Sequence, residues 1–236
     1  MKKIIKNNLL FFGILPFIIG IVTSFSLPPY NFTFINFITF PALLLIVFKL
    51  KEKKFKFNFF FIVGWLFGFG YFLSNIYWIV YSLTYDEIYK NIILFALILI
   101  PSFLAIFYGL LILLLFKVNI KKIFSILLIF SLLFSILEYI RGSILSGFPW
   151  NLISYSWVSS INSIQILSLI GTYSFNLISI TLFSLPVIFF LKTSKKIKIN
   201  VLITLFALIS INYIYGFNKI NSKKNNQQNI NNYNIK

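Results

Sequence analysis

Glu138 and Arg141 stand three residues apart in an otherwise apolar stretch, so on a helix they share one face and can pair. Arg141 is the only arginine in a chain rich in lysine. Its planar fork suits a carboxylate or a phosphate in a way that an ammonium group does not. Gly147 and Pro149 then break the helix beside Phe148 and Trp150, and Tyr155 and Trp157 follow. Tyr77 and Trp78 close an earlier apolar run. A non-helical loop at membrane depth must be buried in protein or line a cavity. Two readings fit these residues equally. One is an Arg–Glu staple that fixes the loop. The other is a lipid head-group or acyl-chain site built from Glu138, Arg141, Gly147, Phe148, Pro149, Trp150, Tyr155, Tyr77 and Trp78. For most of the other aromatic residues at the ends of the runs, an interfacial belt suffices.

The chemistry open to the chain is narrowed by what it lacks. Cys and His are both absent, which excludes disulfides, thiolate nucleophiles, imidazole bases and the usual zinc or haem ligation. No cofactor or metal is expected. The net charge of +17 could suggest nucleic acid. The lysines, however, occur as short clusters between apolar runs rather than as a stripe on one face, so nucleic-acid binding is not expected.

The elements that must position these residues are membrane helices. The chain is 59% hydrophobic, 20% aromatic and 11% charged, outside the range of soluble domains. A hydrocarbon core needs roughly 20 apolar residues per helix. Seven runs qualify or nearly so, at Leu9–Phe25, Phe32–Phe48, Phe59–Tyr81, Ile92–Phe116, Ile123–Leu137, Ile164–Leu191 and Ile199–Tyr215. The fifth is short and is expected to continue past Glu138. The expected fold is an all-α integral membrane protein, a bundle of about seven transmembrane helices over residues 1–217. A polar, Asn-rich tail or linker over 218–236 follows. The first run could be a signal peptide with Ser24-Phe25-Ser26 as its cleavage site, but an uncleaved span gives the more consistent topology.

Orientation follows from the lysines. They crowd the N-terminal tip and the segments Lys49–Lys56, Lys117–Lys122 and Lys192–Lys198, whereas the alternate loops carry only Lys90 and Arg141. The positive-inside rule then puts the N-terminus in the cytoplasm and the C-terminus on the outer, periplasmic side. The clear spans are almost free of ionisable groups, which disfavours a proton-coupled transporter or an ion channel. Gly64 and Gly68 form a G-x-x-x-G that reads as helix packing.

Glu138-Tyr-Ile-Arg141-Gly142, followed by Gly147-Phe148-Pro149-Trp150-Asn-Leu-Ile-Ser-Tyr155-Ser156, resembles the E-x-x-R-G then G-F-P-W pattern of the apolipoprotein N-acyltransferase family. Phe25-Ser-Leu-Pro28-Pro29-Tyr30, Gly64–Trp78 and Gln165–Phe175 are similar to further family stretches. The resemblance implies a membrane domain that carries a periplasmic nitrilase-like domain. In that domain a Glu, Lys and Cys set takes an acyl chain from a phospholipid and passes it to the N-terminal Cys of a lipoprotein. The chain ends at Lys236, about where that domain would begin, and holds no Cys. No catalytic residue carries over. The expectation is therefore the family's membrane half, inactive alone. Its partners would be membrane phospholipid, an apolipoprotein substrate and, in a split enzyme, a separate nitrilase-like chain. The alternative is a non-enzymatic membrane scaffold or small transporter.

Overall fold

The computed structural model describes residues 10–85, 87–118, 120, 122–144 and 147–233. Leu9, the lysines of the N-terminal tip, Lys121 and residues 234–236, all used in the readings above, lie outside the described residues. Among the described residues the chain is helical, without strands. We number the α-helices α1 (Leu15–Ser24), α2 (Asn36–Glu52), α3 (Phe57–Ile76), α4 (Ile93–Lys117), α5 (Ile123–Ser143), α6 (Ile161–Ile164), α7 (Leu167–Ile170), α8 (Thr172–Ser184) and α9 (Lys195–Tyr233).

Among the described residues, six stretches are long and apolar enough to cross a membrane: Thr33–Glu52, Phe57–Tyr81, Ile93–Lys117, Ile123–Ser143, Thr172–Phe190 and Lys195–Lys223. The first expected run gives a shorter apolar helix, Phe12–Ser24. The fifth run does continue past Glu138, so both Glu138 and Arg141 lie on α5.

Two boundaries differ from expectation. The sixth run is not one helix from Ile164 to Leu191. The chain forms the short helices α6 and α7, turns at Gly171 with φ +77°, and only then starts the span at Thr172. Glycine reaches that backbone region without the penalty a Cβ imposes, which explains the break. The last helix also runs beyond the expected end of the seventh run at Tyr215, because α9 continues through the polar segment as far as Tyr233. Neither Pro nor Gly follows Gly216 to stop the helix.

Without a hydrophobic drive between helices in lipid, packing depends on close approach. A Cβ on Gly64 would meet Ile112 Cγ1 of α4 at 2.8 Å, and one on Gly68 would meet Ala105 Cα at 3.0 Å. The G-x-x-x-G thus seats α3 on α4. Gly70 and Gly20 make the matching approach between α3 and α1. Phe40 of α2 is the hub of the core. Its ring lies 6.5 Å from Phe67 (α3), 5.7 Å from Phe134 (α5) and 6.0 Å from Phe183 (α8). Such aromatic pairs add about 0.5–1.5 kcal/mol each beyond the area they bury.

Candidate functional site

Glu138 is fully buried and Arg141 is 2% exposed. Helical spacing brings Arg141 Nη2 within 3.7 Å of Glu138 Oε1. The carboxylate is held from three directions. Tyr108 of α4 donates its hydroxyl to Oε1 at 2.9 Å, and Asn176 of α8 donates its Nδ2 to Oε2. Asn176 Oδ1 in turn accepts the backbone N–H of Ser154 at 2.9 Å. One buried acid therefore ties α4, α5 and α8 to the 3-10 helix Ile153–Ser159. Such a group persists in an apolar interior only when paired and hydrogen-bonded.

Arg141 looks the other way, toward the loop. Its Nη1 donates to the carbonyl oxygens of Phe148 at 2.7 Å and of Trp150 at 3.0 Å. The guanidinium lies 5.1 Å from the centre of the Phe72 ring and 5.9 Å from that of Phe148, a cation–π arrangement. The Phe148 N–H closes the loop by donating to Arg141 O at 3.1 Å. Gly147 turns with φ +74°, and a Cβ there would meet the Gly142 carbonyl oxygen at 2.6 Å. Asn151 also has positive φ, +59°, a conformation Asn tolerates better than most residues. Its carbonyl accepts the Tyr71 hydroxyl at 2.8 Å. The carbonyls of Phe148, Trp150 and Asn151 are thus met by the buried side chains of Arg141 and Tyr71, as membrane depth requires.

The loop so held presents its rings to a cavity of about 380 Å³. Tyr77, Trp78, Trp150 and Tyr155 line it, with Tyr30 and the polar Ser74, Asn75 and Asn151. Trp78 and Trp150 are stacked at 5.4 Å with 20° between their planes, and each is about half exposed. Tyr155 donates to the Pro149 carbonyl at 3.3 Å. Burial, with smaller contributions from Tyr173 and Glu138, pushes its phenol up from the ordinary value.

The nine candidate residues therefore separate into three groups. Tyr77, Trp78, Trp150 and Tyr155 form the cavity wall, while Glu138 and Pro149 are support behind it. Arg141, Gly147 and Phe148 line a second, smaller pocket of about 170 Å³ against Ile100, Phe103, Leu104 and Phe107 of α4. Sequence reasoning missed Tyr108, Asn176 and Tyr71. Asn176 did leave a signal, as an amide inside an apolar run.

An all-helical bundle with membrane-length spans, and a buried acid–arginine pair holding an aromatic loop beside a cavity, define a membrane-embedded protein. The comparisons with known proteins make this specific. Residues 19–185 match the family model described as the apolipoprotein N-acyltransferase N-terminal domain. The chain belongs to the apolipoprotein N-acyltransferase family. Its relatives include proteins of that name from Rhodopseudomonas palustris, 31% identical over 181 residues (75% of this chain, 33% of the relative). Another, from Rickettsia typhi, is 35% identical over 212 residues (89% and 41%). A third, from Rickettsia prowazekii, is 38% identical over 166 residues (69% and 32%). The chain thus spans well under half the length of these curated relatives. It is a bacterial membrane protein of that family.

Proposed function

We propose that this chain supplies the membrane domain of phospholipid-to-lipoprotein acyl transfer, with the 380 Å³ aromatic cavity as the place where a lipid meets the protein. The observation that carries the reading is the construction around Arg141. A buried pair and two carbonyl contacts are spent on holding Phe148–Trp150 in place. Buried charge of this kind costs more than it returns in stability alone, so positioning the loop is the return.

The chemistry itself needs a thiolate, and these 236 residues contain no Cys. The thioester therefore forms on groups outside them, on a nitrilase-like domain that is joined to this segment or docks on it. By itself the segment is inactive. Its place is the bacterial inner membrane, with the lysine-rich ends of the helices in the cytoplasm and the aromatic cavity on the periplasmic side. There it meets both phospholipid and the apolipoprotein substrate.

The test is replacement of the residues matching Arg141 and Trp150 by Ala in a full-length relative. Acylation of a lipoprotein should fall while the protein still folds and inserts. Unchanged acylation would refute the reading.

A further inference from the structure

Among the described residues, α9 is the span least held by the rest of the bundle. Only 11% of its membrane stretch is buried, against 39–50% for the other five spans. Near its start it is fixed by the buried Val201 and Leu205 and by Lys198, whose Nζ donates to Phe189 O at 2.9 Å. Further along, the contacts change in kind. Asn212 donates its Nδ2 to Ser163 O at 3.1 Å. Lys219 donates its Nζ to Gln165 O at 3.4 Å and to Ser168 Oγ. Between them Gly216 lets backbone meet backbone, because a Cβ there would collide with the Asn162 carbonyl oxygen. Asn212, Gly216 and Lys219 follow the four-and-three spacing of one helix face. They form a single clasp on the short apolar segment Ile161–Ile170.

That segment leads straight to the cavity. A single residue, Ser160, joins it to the 3-10 helix Ile153–Ser159, and the joint is pinned on both sides. Ser160 N–H donates to Trp157 O at 2.9 Å. Its Oγ accepts the Ser163 N–H at 3.3 Å and lies 2.8 Å from Ser163 Oγ. The 3-10 helix carries Tyr155, which lines the larger cavity. At its far end the segment turns on Gly171, with φ +77° and nothing within 4 Å of an added carbon. One end is stiff and the other has room to pivot, which is how a hinged arm is built. We infer that Ile161–Ile170 is a coupling arm, through which displacement of α9 beyond Asn212 moves the cavity wall at Tyr155.

A clasp that served packing alone would seat α9 on one of the long spans, as Gly64 and Gly68 seat α3 on α4. Here the polar contacts go instead to an arm that is not itself a span. Polar contacts between membrane helices are individually weak, so the clasp opens and closes without unfolding the bundle. Coupling between two sites is reciprocal. A pull on α9 shifts Tyr155, and a molecule seated against Tyr155 restrains α9. The use of this device rests on the reading of the cavity as a lipid site: occupancy would be relayed along α9 to the catalytic domain of the proposed function. The coupling itself does not depend on that reading.

The test is hydrogen exchange read by mass spectrometry on the purified full chain in detergent, with no lipid added. Lys219→Ala and, separately, Gly216→Leu open the clasp; Lys219→Ala suffices if Gly216→Leu does not insert. Peptides covering residues 153–160 should exchange about fivefold faster, the change that loss of one ordinary hydrogen bond makes to a local opening equilibrium. Peptides of α3 and α4 should not change. The chain has no Cys, so a Ser168→Cys, Lys219→Cys double variant carries the only two thiols and can be closed with a short bismaleimide. Closure should return residues 153–160 to the exchange rate of the unaltered chain, and the same variant left open should not. Faster exchange confined to residues 161–170, with 153–160 unchanged, would overturn the inference, because the clasp would then fix α9 alone. Unchanged exchange in both segments would overturn it as well. With no lipid present, neither result bears on whether the cavity receives lipid, which the acylation assay tests separately.

Discussion

Tyr108, on the fourth helix, donates its hydroxyl to Glu138, on the fifth, at 2.9 Å with both residues buried. This contact and the Asn176 amide account for both oxygens of the carboxylate. Arg141 is thereby left to reach forward and hold the loop. The pair fixes where α4 crosses α5, and through Arg141 it fixes where Trp150 sits.

Removal of the acid should be severe. Glu138→Ala leaves Arg141 buried without its counter-charge, and breaking such a pair costs about 3–5 kcal/mol. Thermal unfolding in detergent should show a clearly lowered midpoint. Tyr108→Phe removes one hydrogen bond to a charged group and should cost about 1.5–3 kcal/mol. A double-mutant cycle of Tyr108→Phe with Glu138→Gln should give a coupling of at least about 0.5 kcal/mol; strict additivity would show that the contact carries no energy.

Arg141→Lys keeps the charge but loses the fork. Nη1 holds the Phe148 and Trp150 carbonyls while Nη2 faces Glu138 at 3.7 Å, and a single ammonium nitrogen cannot serve both sides at once. The global fold should survive while the loop loosens. Hydrogen exchange at the Phe148 amide, which is bonded to Arg141 O, should speed up relative to amides in α3. Unchanged protection would mean that the loop is held by other contacts.

Much of this architecture was legible in the sequence, and the rest was hidden for physical reasons. The apolar runs are long enough to declare themselves, and a helical spacing of three suffices to pair Glu138 with Arg141. The break at Gly171 was hidden from hydropathy because the apolar run continues across it from Ile164, and its φ of +77° shows that it ends a segment. Phe40 was equally hidden. Among 31 Phe, nothing local distinguishes the one that contacts three other helices from those that face lipid. Tyr108 and Asn176 lie 30 and 38 residues from Glu138 in sequence, so their convergence depends on how the helices pack.

The helix seam makes its own prediction. Gly68→Val puts branched carbons where a Cβ alone would already lie 3.0 Å from Ala105 Cα. Overpacking typically costs about 1–3 kcal/mol. The loss should appear as reduced folded yield in detergent. Gly171→Ala, where nothing lies within 4 Å of the added carbon, should act through backbone strain alone, at a φ of +77°.

Orientation is testable without purification. Reporter fusions after Lys54 should report a cytoplasmic junction, and fusions after Asp86 an exported one, as the lysine distribution requires. An exported signal at Lys54 would reverse the topology and place the aromatic cavity on the wrong side for lipoprotein modification.

The most direct test of the central claim is a chimera. Residues 1–217 of this chain would replace the matching segment of the Rickettsia typhi relative, and N-acylation of a lipoprotein would be measured in membranes. The account predicts acylation that depends on the relative's catalytic domain and falls when Trp150→Ala is introduced into the chimera. A chimera that folds and inserts but transfers no acyl chain, or one indifferent to Trp150, would contradict it.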